Sequence, residues 1–127
     1  MQSGMLGYTR VYTDDDGETH FEDVGVELSP SSFAPPAPPL NLSEFKESKK
    51  YGFVKAPCGW FGDWHPTPKR QIFVYISGKM EAQVSDGEVR TFGPGSVTLV
   101  EDTTGKGHKS RVIGDQDVLT LVIQLEE

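Results

Sequence analysis

WHPTPKRQIFVYISG, residues 64 to 78, is the stretch whose reading decides the fold. Its second half, Gln71 to Ile76, is almost wholly apolar or aromatic. A run of that length and β-branched content predicts a strand covered on both faces. Its first half carries Pro66 and Pro68, which cannot donate to a strand ladder, so it belongs at a sheet edge or barrel rim. His65, Thr67 and Gln71 share parity with Phe73 and Tyr75. In an uninterrupted strand all five side chains would point to one face.

Working outward, the pattern downstream is β throughout. Met80, Ala82 and Val84 alternate with Glu81, Gln83 and Ser85, one face buried and one wet. Asp86-Gly87 is a two-residue hairpin signal, and Val89 to Phe92 returns from it. Gly93-Pro94-Gly95 turns the chain into Val97 to Val100. A Gly-rich loop, TTGKG, then leads to His108 and the strands His108 to Ile113 and Val118 to Leu125. Upstream, Tyr51 to Val54, Tyr8 to Tyr12 and Thr19 to Leu28 read as further strands. Residues 1 to 7 read as a frayed terminus. About eight strands with short turns and no βαβ alternation predict a sandwich or closed barrel. The prolines at 30, 35, 36, 38 and 39 predict an extended connector, which Phe33 and Leu40 should hold against the domain. Leu42 to Lys50 is the one segment expected to form a helical turn, with Ser43 as its N-cap.

Composition narrows the class. A chain of 127 residues is one domain, and its net charge of -7 argues against nucleic acid as a partner. The lone Cys58 permits no internal disulfide and fits a reducing, cytoplasmic setting. No secretory signal and no membrane-spanning run is expected.

These residues resemble the cupin superfamily, in its small single-domain (cupin 2 conserved barrel) form. His65 matches the first histidine of the family's first block, Gly78 its glycine, Gly95 opens the second block, and Gly105-Lys106-Gly107-His108 supplies its Gly-x-x-His. Thr67 stands where a second histidine would be, and Gln71 where a glutamate would be. The resemblance implies an all-β double-stranded β-helix, or jelly roll, over residues 46–127, with an N-terminal β/Pro-rich extension over 1–45 packing on the barrel or on a partner subunit. It also implies a homodimer and a divalent metal (Zn, Mn, Fe or Ni) held by His65, Gln71 and His108. Gln71 is neutral, so such a site would be weak, and Gln71→Glu would be expected to strengthen it.

The residues leave several readings open. His65 is a ligand or a rim histidine packed on Trp64, and His108 a ligand or an incidental loop residue. Trp64, Thr67, Phe73 and Tyr75 are candidate pocket residues, with Trp60 and Phe61 near the same mouth. Glu101 and Asp102 supply a carboxylate to the site or form a solvated acidic rim. Cys58 reads as a buried, inert thiol, His20 as outside any motif, and Asp14 to Asp16 as a turn. The expected function is a small-molecule-binding cupin with a weak or degenerate divalent-metal site at the barrel mouth. The alternatives are a metal-free ligand-binding or sensor module, and a metal-dependent isomerase or oxygenase acting on a small polar substrate. His65 and His108 should meet, with ring nitrogens within about 6 Å. Ile72, Val74 and Ile76 form an apolar strip on the opposite face, which a second copy is expected to cover.

Overall fold

A computed structural model describes residues 6–127. The frayed terminus expected at residues 1–7 falls mostly outside this range, and Leu6 and Gly7 already belong to the first strand.

The described residues are all β. The strands are β1 (Leu6–Thr13), β2 (Thr19–Val26), β3 (Ser29–Ser31), β4 (Leu40–Leu42), β5 (Lys50–Ala56) and β6 (Phe61–His65). They continue with β7 (Gln71–Ser77), β8 (Lys79–Val84), β9 (Val89–Phe92), β10 (Val97–Val100), β11 (His108–Ile113) and β12 (Val118–Gln124). Six form one sheet in the order β2-β1-β10-β7-β12-β5, and four form a second in the order β6-β11-β8-β9. Sequence neighbours β6 and β7 lie in different sheets, as do β10 and β11. The chain therefore winds between two layers as a jelly roll, the cupin-type barrel expected from the sequence blocks.

Alternation builds the core. From the larger sheet Val11, Phe21, Tyr75, Val100 and Val118 point inward, and from the smaller one Val84, Phe92 and Val112. Phe92 stacks on Tyr75 with ring centroids 5.6 Å apart and meets Phe21 edge-on at 6.1 Å. Residues on the opposite parity of β7, β10, β12 and β5 face outward in register. Leu99, Ile72, Ile123 and Tyr51 make one row, and Val97, Val74, Leu121 and Phe53 the next.

Two local expectations need correction. No helix forms over Leu42 to Lys50; β4 ends at Leu42 and the chain runs irregularly to β5. The Ser43 hydroxyl donates to the carbonyl of Glu44 rather than capping a helix. The proline-rich stretch does not lie along the barrel as an extended connector. Its ends, β3 and β4, pair as a short hairpin of their own. That arm leaves Phe33 and Leu40 exposed, and Phe33 packs on the still more exposed Phe45, with centroids 5.9 Å apart. Prolines interrupt the amide ladder, so the segment cannot join either main sheet. The strands β1 and β2 do not cover a face. They extend the larger sheet at its edge, β1 running parallel to β10.

One electrostatic clamp ties the sheets together. His20 on β2 has Nε2 2.7 Å from Asp14 Oδ2 and Nδ1 2.8 Å from Asp86 Oδ2, in the β8–β9 turn. Both nitrogens can donate only in the imidazolium form. The hydrogen bond to Asp14, then that to Asp86, raises His20 above its ordinary value of 6.5. Conversely, Asp14 is held below 3.8, chiefly by its bond to His20, and Asp86 is lowered by the Glu88 amide and by His20. A raised histidine stabilises the fold fully below about 6.5 and ceases to do so as pH rises through its folded value. The lowered carboxylates stabilise it above about 3.8 and cease to do so as pH falls. The clamp therefore acts most strongly between these values. We predict that the stability difference between the native chain and His20→Gln, measured by urea unfolding, is larger at pH 5.5 than at pH 8.5. A difference independent of pH would show that His20 is neutral in the fold.

Candidate functional site

The site is built where the smaller sheet's outer strand, β6, meets β11. Opposite residues pair as His108↔His65 and Ser110↔Gly62, so three steps along β6 match two along β11. That extra residue is a bulge at Asp63 and Trp64, of the kind that re-aims side chains. Its effect is to break the parity of β6. His65 lines the cavity, as does the half-exposed Trp60 just before the strand, whereas Phe61 and Trp64 are exposed and do not line it. Lys109 lies over the Trp64 ring, 5.4 Å from its centroid, on the outside. A side chain at position 62 would collide with the Trp60 ring, so Gly62 lets the indole lie flat across the strand.

The two histidines expected at the site do meet. The rings of His65 and His108 stand 4.7 Å apart, centroid to centroid. The approach depends on Gly107. Its φ is +73°, and a Cβ there would lie 2.2 Å from the backbone of His65. Only glycine fits both the conformation and the contact. On the other side its carbonyl accepts the hydroxyl of the fully buried Thr19 at 2.7 Å.

Each imidazole is oriented by its Nδ1. In His65 that nitrogen lies 2.5 Å from the carbonyl oxygen of Asp63, within the bulge. In His108 it lies 2.6 Å from Asp102 Oδ2. A carbonyl can only accept, so His65 Nδ1 carries the proton. The Asp102 carboxylate imposes the same tautomer on His108. Among the described residues neither Nε2 has a hydrogen-bond partner, and in the neutral form of each ring it is the nitrogen that carries the lone pair.

The two rings face a cavity of about 270 Å³ between the sheets. Its walls are mostly apolar, including Phe21, Phe73, Tyr75, Met80 and Phe92, with Trp60 beside the histidines. Burial pushes the Tyr75 phenol up to about 12, so it remains a neutral group there. Thr98, Ser110 and Thr120 supply the other polar side chains of the lining besides Lys55, which pairs with Asp117 at 3.6 Å.

The other residues singled out from the sequence are placed differently. Gln71 points inward with Phe73 and Tyr75, as parity requires, but it does not line the cavity with the histidines. Its Nε2 donates to Thr67 Oγ1 at 3.1 Å, and its Oε1 accepts from Gln124 at 3.2 Å. The strand assumed to run on from His65 is broken at the prolines, so His65 sits in one sheet and Gln71 in the other. Thr67 is buried in the connecting loop, its hydroxyl donating to the Lys69 carbonyl. Of the four candidate pocket residues, Phe73 and Tyr75 line the cavity, and Trp64 and Thr67 do not. Cys58 is exposed rather than buried as expected, because it lies in the turn between β5 and β6, its thiol 3.7 Å from the Gly114 carbonyl.

The acidic pair divides. Glu101 takes Arg10 at 2.6 Å and Arg70 at 2.6 Å; burial works to raise its carboxyl, but the two guanidiniums hold it below the usual range. Asp102 is fully buried rather than a solvated rim residue, and its Oδ1 has no hydrogen-bond partner among the described residues. Sequence reasoning undervalued it because burial of an aspartate six residues before a histidine leaves no local mark. Among the described residues no three His, Cys, Asp or Glu side chains converge as a metal-ligand set.

No protein-family model matches the chain. No curated protein matches it either. Among solved structures it is similar to a Cupin 2 conserved barrel domain protein from Salinispora arenicola, with 16% identity over 80% of this chain and 76% of that one, and a TM-score of 0.49. It is similar to the cupin domain of Schizosaccharomyces pombe Cnp3, with 15% identity over 98% and 86% and a TM-score of 0.49. It is similar also to protein NMB1881 from Neisseria meningitidis, with 20% identity over 60% and 72% and a TM-score of 0.46. Likenesses of this degree carry no argument about function, and the jelly roll stands on the strand order of the chain itself.

The Asp102 contact makes a testable demand. In Asp102→Asn the charged acceptor at His108 Nδ1 is gone, so the ring should populate both neutral tautomers. Imidazole nitrogen NMR at pH 8.5 should show one tautomer in the native chain and a mixture in the variant. Identical spectra would mean that Asp102 does not set the ring.

Proposed function

We propose that the barrel binds a small molecule in the cavity between its sheets, with His65 and His108 as the polar end of the site. The same pair holds a divalent ion weakly. The observation that carries this reading is the two cavity-lining imidazoles whose Nδ1 atoms are both committed away from the cavity. Histidines that ligate metals commonly donate the other ring nitrogen to a carboxylate or a backbone carbonyl. The donor set is two neutral nitrogens without carboxylate or thiolate, which fits a loosely held first-row ion such as zinc, nickel, iron or manganese. When bound, such an ion would supply Lewis acidity toward an oxygen of the ligand. Gln71 has no part in this reading, because its amide is engaged by Thr67 and Gln124.

Calorimetric titration with zinc tests the metal, alongside elemental analysis of protein purified without chelators or a metal-affinity tag. The expected outcome is one weakly bound ion per chain, lost in His65→Ala and in His108→Ala and unchanged in Gln71→Glu. Tighter binding by Gln71→Glu would return that residue to the ligand set. No binding by the native chain would leave the metal-free ligand-binding module.

The partner proposed is a second copy of the chain. Its support is the outward face of the larger sheet. Tyr51 and Phe53 there are 78% and 66% exposed, and with Ile72, Val74 and Ile76 they extend an apolar surface that β1 and β2 do not cover. Contiguous apolar faces on folded domains mark interaction surfaces. Light scattering at tens of micromolar should give twice the mass of one chain. Phe53→Glu, which places a charge at an exposed position on the edge strand of that face, should give the mass of one. A native monomer would overturn the proposal.

A further inference from the structure

We infer that the cavity selects a neutral, largely apolar molecule carrying a hydroxyl group, and discriminates against carboxylates, ammonium ions and sugars. The inference rests on the small-molecule reading above and names the class of ligand that the same site takes.

Size sets the first limit. About 270 Å³ corresponds to the volume of roughly nine waters, enough for about ten non-hydrogen atoms. Polarity sets the second. Aromatic and aliphatic side chains dominate the walls, and one polar lining group is already satisfied internally, since the Thr120 hydroxyl donates to the Val54 carbonyl at 3.1 Å. Thr98, whose buried hydroxyl has no partner among the described residues, Ser110 and Tyr75 are the remaining side-chain hydroxyls, so a polyhydroxylated sugar would bury more hydroxyls than these walls can pair, each unpaired one at a cost.

Charge sets the third. No Asp or Glu lines the cavity, so an ammonium group would enter without a counter-ion. The sole lysine of the lining, Lys55, is exposed and paired with Asp117, and no arginine lines the cavity. A carboxylate would therefore lose its hydration without gaining a cation. What the polar end does offer is specific. The two imidazole rings lie 4.7 Å apart, and in the neutral rings Nε2 carries the lone pair, because the Asp63 carbonyl and the Asp102 carboxylate both hold the proton on Nδ1. Lone pairs require a donor, and the smallest neutral donor is a hydroxyl. The Ser110 hydroxyl on the same strand as His108 is placed to accept or donate a further bond.

Four matched probes separate these contributions: 2-phenylethanol, ethylbenzene, phenylacetate and phenethylammonium. All carry the same ring and differ in the terminal group. Calorimetric titration uses the full chain after dialysis against a chelator, so that the histidine pair meets the probe directly. 2-Phenylethanol should bind about fivefold more tightly than ethylbenzene, the gain expected of one neutral hydrogen bond. Both ions should bind at least about tenfold more weakly than the alcohol. His65→Ala should bring the alcohol down to the affinity of ethylbenzene and leave ethylbenzene unchanged. The ranking of the four probes on the native chain decides the matter even if that variant does not fold. Ethylbenzene binding as well as the alcohol would overturn the inference and leave an apolar cavity. Either ion binding as well as the alcohol would overturn it in favour of an ion site. Binding of none of the four would overturn both the inference and the small-molecule reading on which it rests.

Discussion

The backbone of Gly107 is wedged between His65 and Thr19, and the geometry of the site depends on that contact. On one side there is no room for a Cβ against the carbonyl of His65. On the other, the Thr19 hydroxyl donates to the Gly107 carbonyl and accepts the Ser85 amide at 2.7 Å. Three segments far apart in the chain, β2, β6 and the loop before β11, are thereby locked at one point. Backbone hydrogen bonds reinforce the lock, from Lys106 to Gly17 at 2.9 Å and from Asp86 to Thr19 at 3.3 Å. Thr19 is fully buried with every polar atom satisfied, which is the condition under which a polar group in a core adds definition without a desolvation penalty. Because the lock is made of backbone and one short side chain, it leaves little freedom in the distance between the two imidazoles.

Around that point the interior has two characters. Away from the histidines it is an aromatic and aliphatic core, with Phe73, Tyr75 and Phe92 in a nearly parallel series. Beside them it is polar and oriented. The Asp63 carbonyl and the Asp102 carboxylate lie behind the rings, and the nitrogens that remain meet the cavity. Asp102 is itself held, since the amide of Thr67 donates to its carbonyl at 3.0 Å. The loop that carries Pro66 and Pro68 thus closes on the residue that orients His108. The prolines separate the two sheets, and in doing so they bring the loop back to the site.

The surface charge is arranged at the opposite scale. The chain carries a net charge of -7, and surface ion pairs such as Arg90 with Glu88 and Asp23, whose carboxylates are open to solvent, contribute little individually. The pairs that bridge distant segments matter more for definition. Glu101 joins β1 to the start of β7 through Arg10 and Arg70, and His20 joins the β1–β2 turn to the β8–β9 turn. Both connections bind the N-terminal hairpin to the sheets.

Residue type and alternation alone determined the all-β class, the strand at Gln71 to Ile76, the hairpin at Asp86-Gly87 and the outward strip of Ile72, Val74 and Ile76. These are local consequences of period-2 patterning and turn chemistry, which need no knowledge of the partner strand. The two sequence blocks also pointed to His65 and His108, which do meet. Only the tertiary structure decided what stands beside them. Parity grouped Gln71 with His65, but parity holds only along an unbroken strand, and the prolines sent the two into different sheets. The bulge at Asp63 and Trp64 broke the alternation of β6 ahead of His65, and a bulge depends on the partner's register, which β6 itself does not encode. Asp102 became the buried partner of His108 because a loop folded over it, and burial is a property of what covers a residue, not of the residue.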